Sequence, residues 1–197
     1  MPEMLPTAIR LPDELRSPRL RLRPLRPDDA DAIFAAIDES REHLRPWMLW
    51  VDNHRSVDDT RDWCAHVAAN WLTRSELMLG MFDAASRRYL GGTGLHVHDW
   101  NRRLFEVGYW VRASEQGKGY VTEAVTRQIA FAFGELDARR LELWCDARNE
   151  RSRAVAARCG FVYEGRLRNA MSAPDDATVD ALVFSLTPAD RPRPEHG

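Results

Sequence analysis

Apolar positions recur along the chain with two periods, and these divide it into helices and strands. Helical spacing appears at Ala30, Ile33, Phe34 and Ile37, at Trp63, Val67 and Trp71, and at Val121, Val125, Ile129, Ala132 and Leu136. Pro27 suits the first turn of the first helix, and Asp28 and Asp29 suit the positive end of its dipole. Ser56 with Asp59 reads as a capping box for the second helix, which should run to about Arg74. A last short helix, from about Glu150 to Arg158, stops at Gly160, a good residue just past a helix end. Arg41 to Val51, with Pro46 inside it, predicts a turn or short helix.

The strand pattern begins at Leu20 to Leu25, where leucine alternates with polar residues. Leu77–Phe82 and Arg88–Val97 predict a hairpin joined near Ala84 to Arg87. Leu104–Val111 is the next strand, Leu141–Cys145 is a buried strand, and Phe161–Leu167 with Thr178–Leu186 form a final pair. Residues 1–18 read as a leader or arm, loop-like from Met1 to Arg16, and Pro188–Gly197, with its prolines, as a disordered tail. The expected fold is one α+β domain over residues 19–187, a central mixed, mainly antiparallel sheet flanked by helices.

Composition narrows the function by exclusion. A chain of 197 residues can bury a real core, and a formal charge of −2 gives no general attraction to nucleic acid or an anionic membrane. No apolar run approaches the ~20 residues of a spanning helix. The N-terminus lacks a signal peptide's apolar block, so the three cysteines, with no CxxC among them, are expected to be reduced in a cytoplasmic protein. His96 and His98 share a strand face but lack further ligands at metal-binding spacing, so no metal is expected.

The stretch richest in chemistry is Ser114-Glu-Gln-Gly-Lys-Gly-Tyr-Val-Thr-Glu-Ala124, a glycine-rich turn between a strand and a helix. Gly117 and Gly119 can adopt backbone angles denied to other residues, so amides can converge at the helix N-terminus, where an anion such as a pyrophosphate is held. The dinucleotide fingerprint fails, because Thr122 stands where its third glycine belongs. The Walker pattern fails too, because Gly119 follows Lys118 and Arg112 stands five residues before Gly117.

This loop resembles the pyrophosphate arm of the GNAT superfamily of acetyl-coenzyme A-dependent N-acetyltransferases, departing from its pattern at Ser114. Two further segments extend the resemblance, which runs from about Arg19 to Leu186. One is Asn149-x-x-Ser152 followed by Gly160-Phe161 and Glu164-Gly165. The other, Glu106-Val-Gly108-Tyr109-Trp110, resembles the subgroup that acetylates N-termini of ribosomal proteins. The resemblance implies acetyl-coenzyme A as co-substrate, a primary amine as acceptor, and a sheet splayed between Leu104–Val111 and Leu141–Cys145 to admit the pantetheine arm. It places Gln116, Gly117, Lys118, Gly119, Tyr120 and Val121 in the coenzyme cradle, with Lys118 as a mobile positive charge. The backbone of Trp110 and Val111 would polarise the thioester carbonyl. Glu106, the one carboxylate in an apolar run, is the candidate base, directly or through water. Many relatives carry a tyrosine acid four residues before Gly-Phe; here that position is Ala156. Ser152 is therefore the candidate partner or acid for the thiolate, and Asn149 the binder of the pantetheine amides, or else a helix cap. Trp47 and Trp50 are expected to wall the acceptor cleft. The acceptor itself is open: a protein N-terminus, an amino-sugar antibiotic, a polyamine or an amino-acid derivative. A homodimer is an allowed assembly. The competing reading is a coenzyme-A-binding module without catalysis, which Ala156 favours.

Overall fold

The computed structural model describes residues 6–174 and 177–190. Strands β1 (Leu15–Arg16), β2 (Leu20–Arg23), β3 (Glu76–Asp83), β4 (Tyr89–Asp99), β5 (Leu104–Val111), β6 (Arg140–Asp146), β7 (Val162–Ser172) and β8 (Thr178–Leu186) form one sheet in the order β1-β2-β3-β4-β5-β6-β8-β7. The β5–β6 pair is parallel, and every other neighbouring pair is antiparallel. Helices α1 (Ala30–Leu44) and α2 (Val57–Thr73) cover one face, and α3 (Tyr120–Gly134) and α4 (Glu150–Arg158) the other. Alternation along the strands feeds both cores. Leu77, Leu79 and Met81 of β3 pack toward α3, whereas Met78 and Phe82 pack toward α1 and α2. Among the described residues no helix is long and apolar enough to cross a membrane.

The helix caps behave as their sequences dictate. Ser56 Oγ accepts the Asp59 amide at 3.1 Å, and Gly160 ends its turn at φ +81°. Five expectations need correction. Leu15–Arg16 is a paired strand with Leu15 buried, and Ile9 and Leu11 pack against the core, so residues 6–18 are not a loose leader. Arg41–Leu44 completes α1, and only Leu49–Asn53 forms a short 3-10 turn, because the helix continues unbroken until Pro46 approaches. Trp63 is half-buried, and its neighbour Cys64 takes the inward place. β7 runs on to Ser172, beyond Leu167. Pro188–Asp190 forms a further 3-10 turn, while Met1–Leu5 and the tail Arg191–Gly197 lie outside the described residues.

One anchor of the core lies where β5 and β6 still pair. Phe105 is fully buried there, opposite Leu141. Phe105→Ala is expected to cost about 3–5 kcal/mol. The measurement is a urea titration, in which the midpoint falls while the slope is retained.

Candidate active site

The site exists because two parallel strands stop pairing. β5 and β6 are in register at Leu104↔Arg140, Phe105↔Leu141 and Glu106↔Glu142, and pairing ends there. Val107 to Val111 therefore keep their β4 partners but present a free edge toward β6. Amides alternate in direction along a strand. Arg112 N donates to Leu90 O at 2.8 Å, so the even-numbered amides of β5 turn toward β4. The expectation for Trp110 is thereby corrected: its amide faces β4, and the amides left on the open edge are those of Tyr109 and Val111. A cleft of ≈ 1890 Å³ runs through the gap, from the α3 N-terminus past this edge to the α1–α2 side.

At one end lies the glycine turn. Gly117 and Gly119 have φ +72° and +82°, which L side chains rarely adopt, and Gly119 precedes the first residue of α3. The first amides of a helix have no intrahelical partners, so those of Tyr120 and Val121 are available at the cleft wall. Gln116, Gly117, Gly119, Tyr120 and Val121 all line it. Lys118 does not. Its Nζ lies 2.8 Å from Glu115 Oε2, and Glu115 is also paired with Arg88, so the expected mobile charge is held in an ion pair. Another cation takes the position at the cleft: Arg151 at the start of α4 donates from Nη1 to Gln116 Oε1, bridging the mouth of the gap. Ser114, the motif's departure, bonds Arg88 and is not part of the wall.

Midway, β5 meets α4. Tyr109 OH lies 2.8 Å from Ser152 Oγ. Burial pushes the Tyr109 phenol far up, against the smaller opposing effect of the Ser152 hydrogen bond, so it stays protonated at neutral pH. Asn149 Oδ1 accepts the Ser152 amide at 3.0 Å, so Asn149 caps α4. It also lines the cleft, so cap and coenzyme contact are compatible. Ala156 is wholly buried in the core. Cys145 also lines the cleft, but burial raises its thiol pKa, which argues against an acyl-carrying thiolate.

At the far end Trp47, Trp50, Trp63 and Met48 wall the cleft, with Trp50 packed on Trp110 at 5.7 Å between ring centroids. Glu106 faces it from β5, and its Oε2 lies 2.9 Å from His98 Nε2. His96 also lines it, with Nδ1 2.8 Å from Glu76 Oε1. Each histidine thus has its own carboxylate, and among the described residues no group of three or more His, Cys, Asp or Glu could hold a metal ion.

The structure therefore brings Glu106, Ser152, Asn149, Val111, the glycine turn, Trp47 and Trp50 to one cleft, leaves Lys118 outside it, and turns the Trp110 amide away while its ring stays in the wall. Three residues there escaped the sequence reading. Tyr109 sits inside the β5 strand motif but has no role in it, Arg151 belongs to no motif, and the sequence offers His96 only as a metal ligand. A tyrosine two residues from the opening edge is the signal that could have been used.

Residues 19–162 match the acetyltransferase (GNAT) domain family. The chain is 30% identical over 157 residues to YdaF of Bacillus subtilis (strain 168), named as a candidate ribosomal N-acetyltransferase, covering 77% of this chain and 82% of that one. It is 27% identical to the ribosomal-protein-serine acetyltransferase of Escherichia coli (strain K12), over 85% of this chain and 94% of that one. Among solved structures, RimJ of Mycobacterium smegmatis in complex with a coenzyme A disulfide superposes with a TM-score of 0.77 at 28% identity, covering 91% of this chain and 88% of that one. The chain belongs to the GNAT acetyltransferase family. It is an acetyl-coenzyme A-dependent acyltransferase, and the splayed edge and amide cradle fit that co-substrate.

Proposed function

We propose that this enzyme moves the acetyl group to the N-terminal α-amine of a protein or peptide, in the cytoplasm. The observation that carries the reading is Glu106, a carboxylate at the acceptor end of the cleft, beside the edge where the thioester would lie. An α-amine has a pKa of about 7.7–8.0, against about 10.4 for a lysine side chain, so a carboxylate is an adequate base for the first. The relatives named for ribosomal or ribosomal-protein acetylation support the same acceptor class.

In this reading the amides of the glycine turn and Arg151 hold the pyrophosphate, and Asn149 reaches the pantetheine. The Val111 amide polarises the thioester carbonyl, and Glu106 takes a proton from the ammonium, directly or through water. The sulfur leaves beside Ser152, whose hydroxyl donates to it while Tyr109 re-supplies Ser152. With Ala156 leaving no tyrosine on α4, the strand provides the phenol instead.

The experiment is a thiol-release assay across peptides with free N-termini, N-blocked lysine peptides, polyamines and aminoglycosides. Peptides with free N-termini should turn over fastest. Ser152→Ala should lower kcat roughly 10-fold or more while changing coenzyme KM little, because the group acts only as the thiolate forms. Tyr109→Phe should lower kcat in the same way. Preference for a polyamine or aminoglycoside would overturn the acceptor assignment. Tight coenzyme binding without turnover would leave only the non-catalytic module.

A further inference from the structure

Proton bookkeeping leaves the proposed reaction one acceptor short. At neutral pH an α-amine arrives largely as R–NH3+ and leaves as R–NH–CO–CH3, so its nitrogen sheds two protons. The sulfur gains a proton, but on the α4 side, from Ser152 and Tyr109. On the nitrogen side only Glu106 has been assigned.

The same wall holds a second group. His96 of β4 is the register partner of both Glu76 on β3 and Glu106 on β5, and it lines the cleft. Glu76 engages its Nδ1. The other ring nitrogen, Nε2, lies over Gly108, 2.8 Å from where a Cβ would stand, so any side chain there would meet the ring. A carboxylate fixing Nδ1–H leaves the Nε2 lone pair free, which is the arrangement of a histidine base. Glu106 is set up differently. A register shift between Val97 and Asp99 makes a bulge at His98, and the imidazole so re-aimed occupies Glu106 Oε2. One carboxylate oxygen remains for the amine.

We propose that His96 is the second proton acceptor of the transfer, and that Glu76 is the residue that positions it. Glu106 takes the first proton from the ammonium. The freed lone pair attacks the thioester carbon. As the N–C bond forms and the C–S bond breaks, the now cationic nitrogen gives its second proton to His96 Nε2. The sulfur takes the Ser152 proton, the Ser152–Tyr109 pair regains one from solvent, and both bases return theirs to solvent, so one proton is released per acetyl group moved. The inference rests on the acceptor reading above. The charged and titratable groups around His96 are Glu76 from β3, Glu106 from β5, His98 on β4 itself, and His66 of α2 beyond Glu76. The Glu76 hydrogen bond raises the His96 pKa above the ordinary histidine value, outweighing the opposing effect of burial.

His96→Gln and Glu76→Gln separate this role from packing. With a peptide acceptor, His96→Gln should lower kcat roughly 10²-fold. Acetyl-coenzyme A should still shift its melting temperature as in the wild type. The loss should persist at about pH 9–10, where solvent already deprotonates an α-amine, because the second proton appears only after attack. Glu76→Gln should lose less, and should move the acidic limb of kcat/KM to lower pH, since the imidazolium is then less favoured. Long-range 1H–15N NMR of the free protein should find neutral His96 protonated on Nδ1, with a pKa that falls in Glu76→Gln. Wild-type kcat in folded His96→Gln, or a defect that vanishes at high pH, would overturn the proposal. So would NMR placing the neutral proton on Nε2. Failure of the wild type to acetylate peptides would instead strike the acceptor reading, and the NMR result still decides how His96 is held.

Discussion

Gly119→Val is expected to abolish the thermal stabilisation that acetyl-coenzyme A should confer on the wild-type protein. Saturating the native state at about 100 times Kd adds about 2.7 kcal/mol. For a chain of this size that corresponds to a rise of roughly 5–10 °C. The stabilisation depends on amides aimed by two left-handed glycines, Gly117 and Gly119, on either side of Lys118. Gly119 sits at φ +82°, and a Cβ there would stand 3.4 Å from the Arg19 guanidinium. The contact is tolerable, but a β-branched residue at that φ is not. The backbone relaxes, and the amides of Tyr120 and Val121 turn away from the phosphates. Arg19 also donates to the Lys118 carbonyl and pairs with Glu123 of α3, so the relaxation spreads through the turn. Differential scanning fluorimetry with and without coenzyme is the measurement. A folded Gly119→Val protein with a normal coenzyme shift would remove the cradle assignment. Adenosine triphosphate should shift the wild type much less, since the Walker residues are missing.

What the sequence revealed and what it hid follow a physical division. Gly117 and Gly119 were legible because a left-handed backbone restricts residue type, and that restriction is local. The helix phases of Val125, Ile129 and Ala132 were legible for the same reason, since burial repeats every turn. Contacts across long separations were not. Tyr109 and Ser152 are 43 residues apart in sequence and meet only because β5 and α4 flank the same gap. The ion pair of Lys118 depends on Glu115 being turned back by a short 3-10 turn, where Arg88, from the connection between β3 and β4, shares the same carboxylate. The pairing of His96 with Glu76 depends on strand register, which the hairpin sequence does not specify to one residue. The two-residue strand β1 has too little pattern of its own to announce itself.

Glu106→Gln should cost about 10²-fold in kcat/KM near neutral pH and progressively less as pH rises. The substitution keeps the shape of the side chain and a partner for His98, but it removes the negative charge and with it the basicity needed to take a proton. Near pH 7 roughly a tenth of an α-amine is neutral, so most acceptor molecules need the base before they can attack. Above pH 8 solvent supplies the neutral amine, and the variant approaches the wild type. A lysine side chain is roughly 10²-fold less often neutral at pH 7, so it should react poorly with both proteins. The check is a pH series with one peptide bearing a free N-terminus and one with a blocked N-terminus and a free lysine. A defect of equal size at every pH would mean that Glu106 only places the acceptor. A preference for the lysine peptide would sink the α-amine assignment and leave acetyl transfer standing.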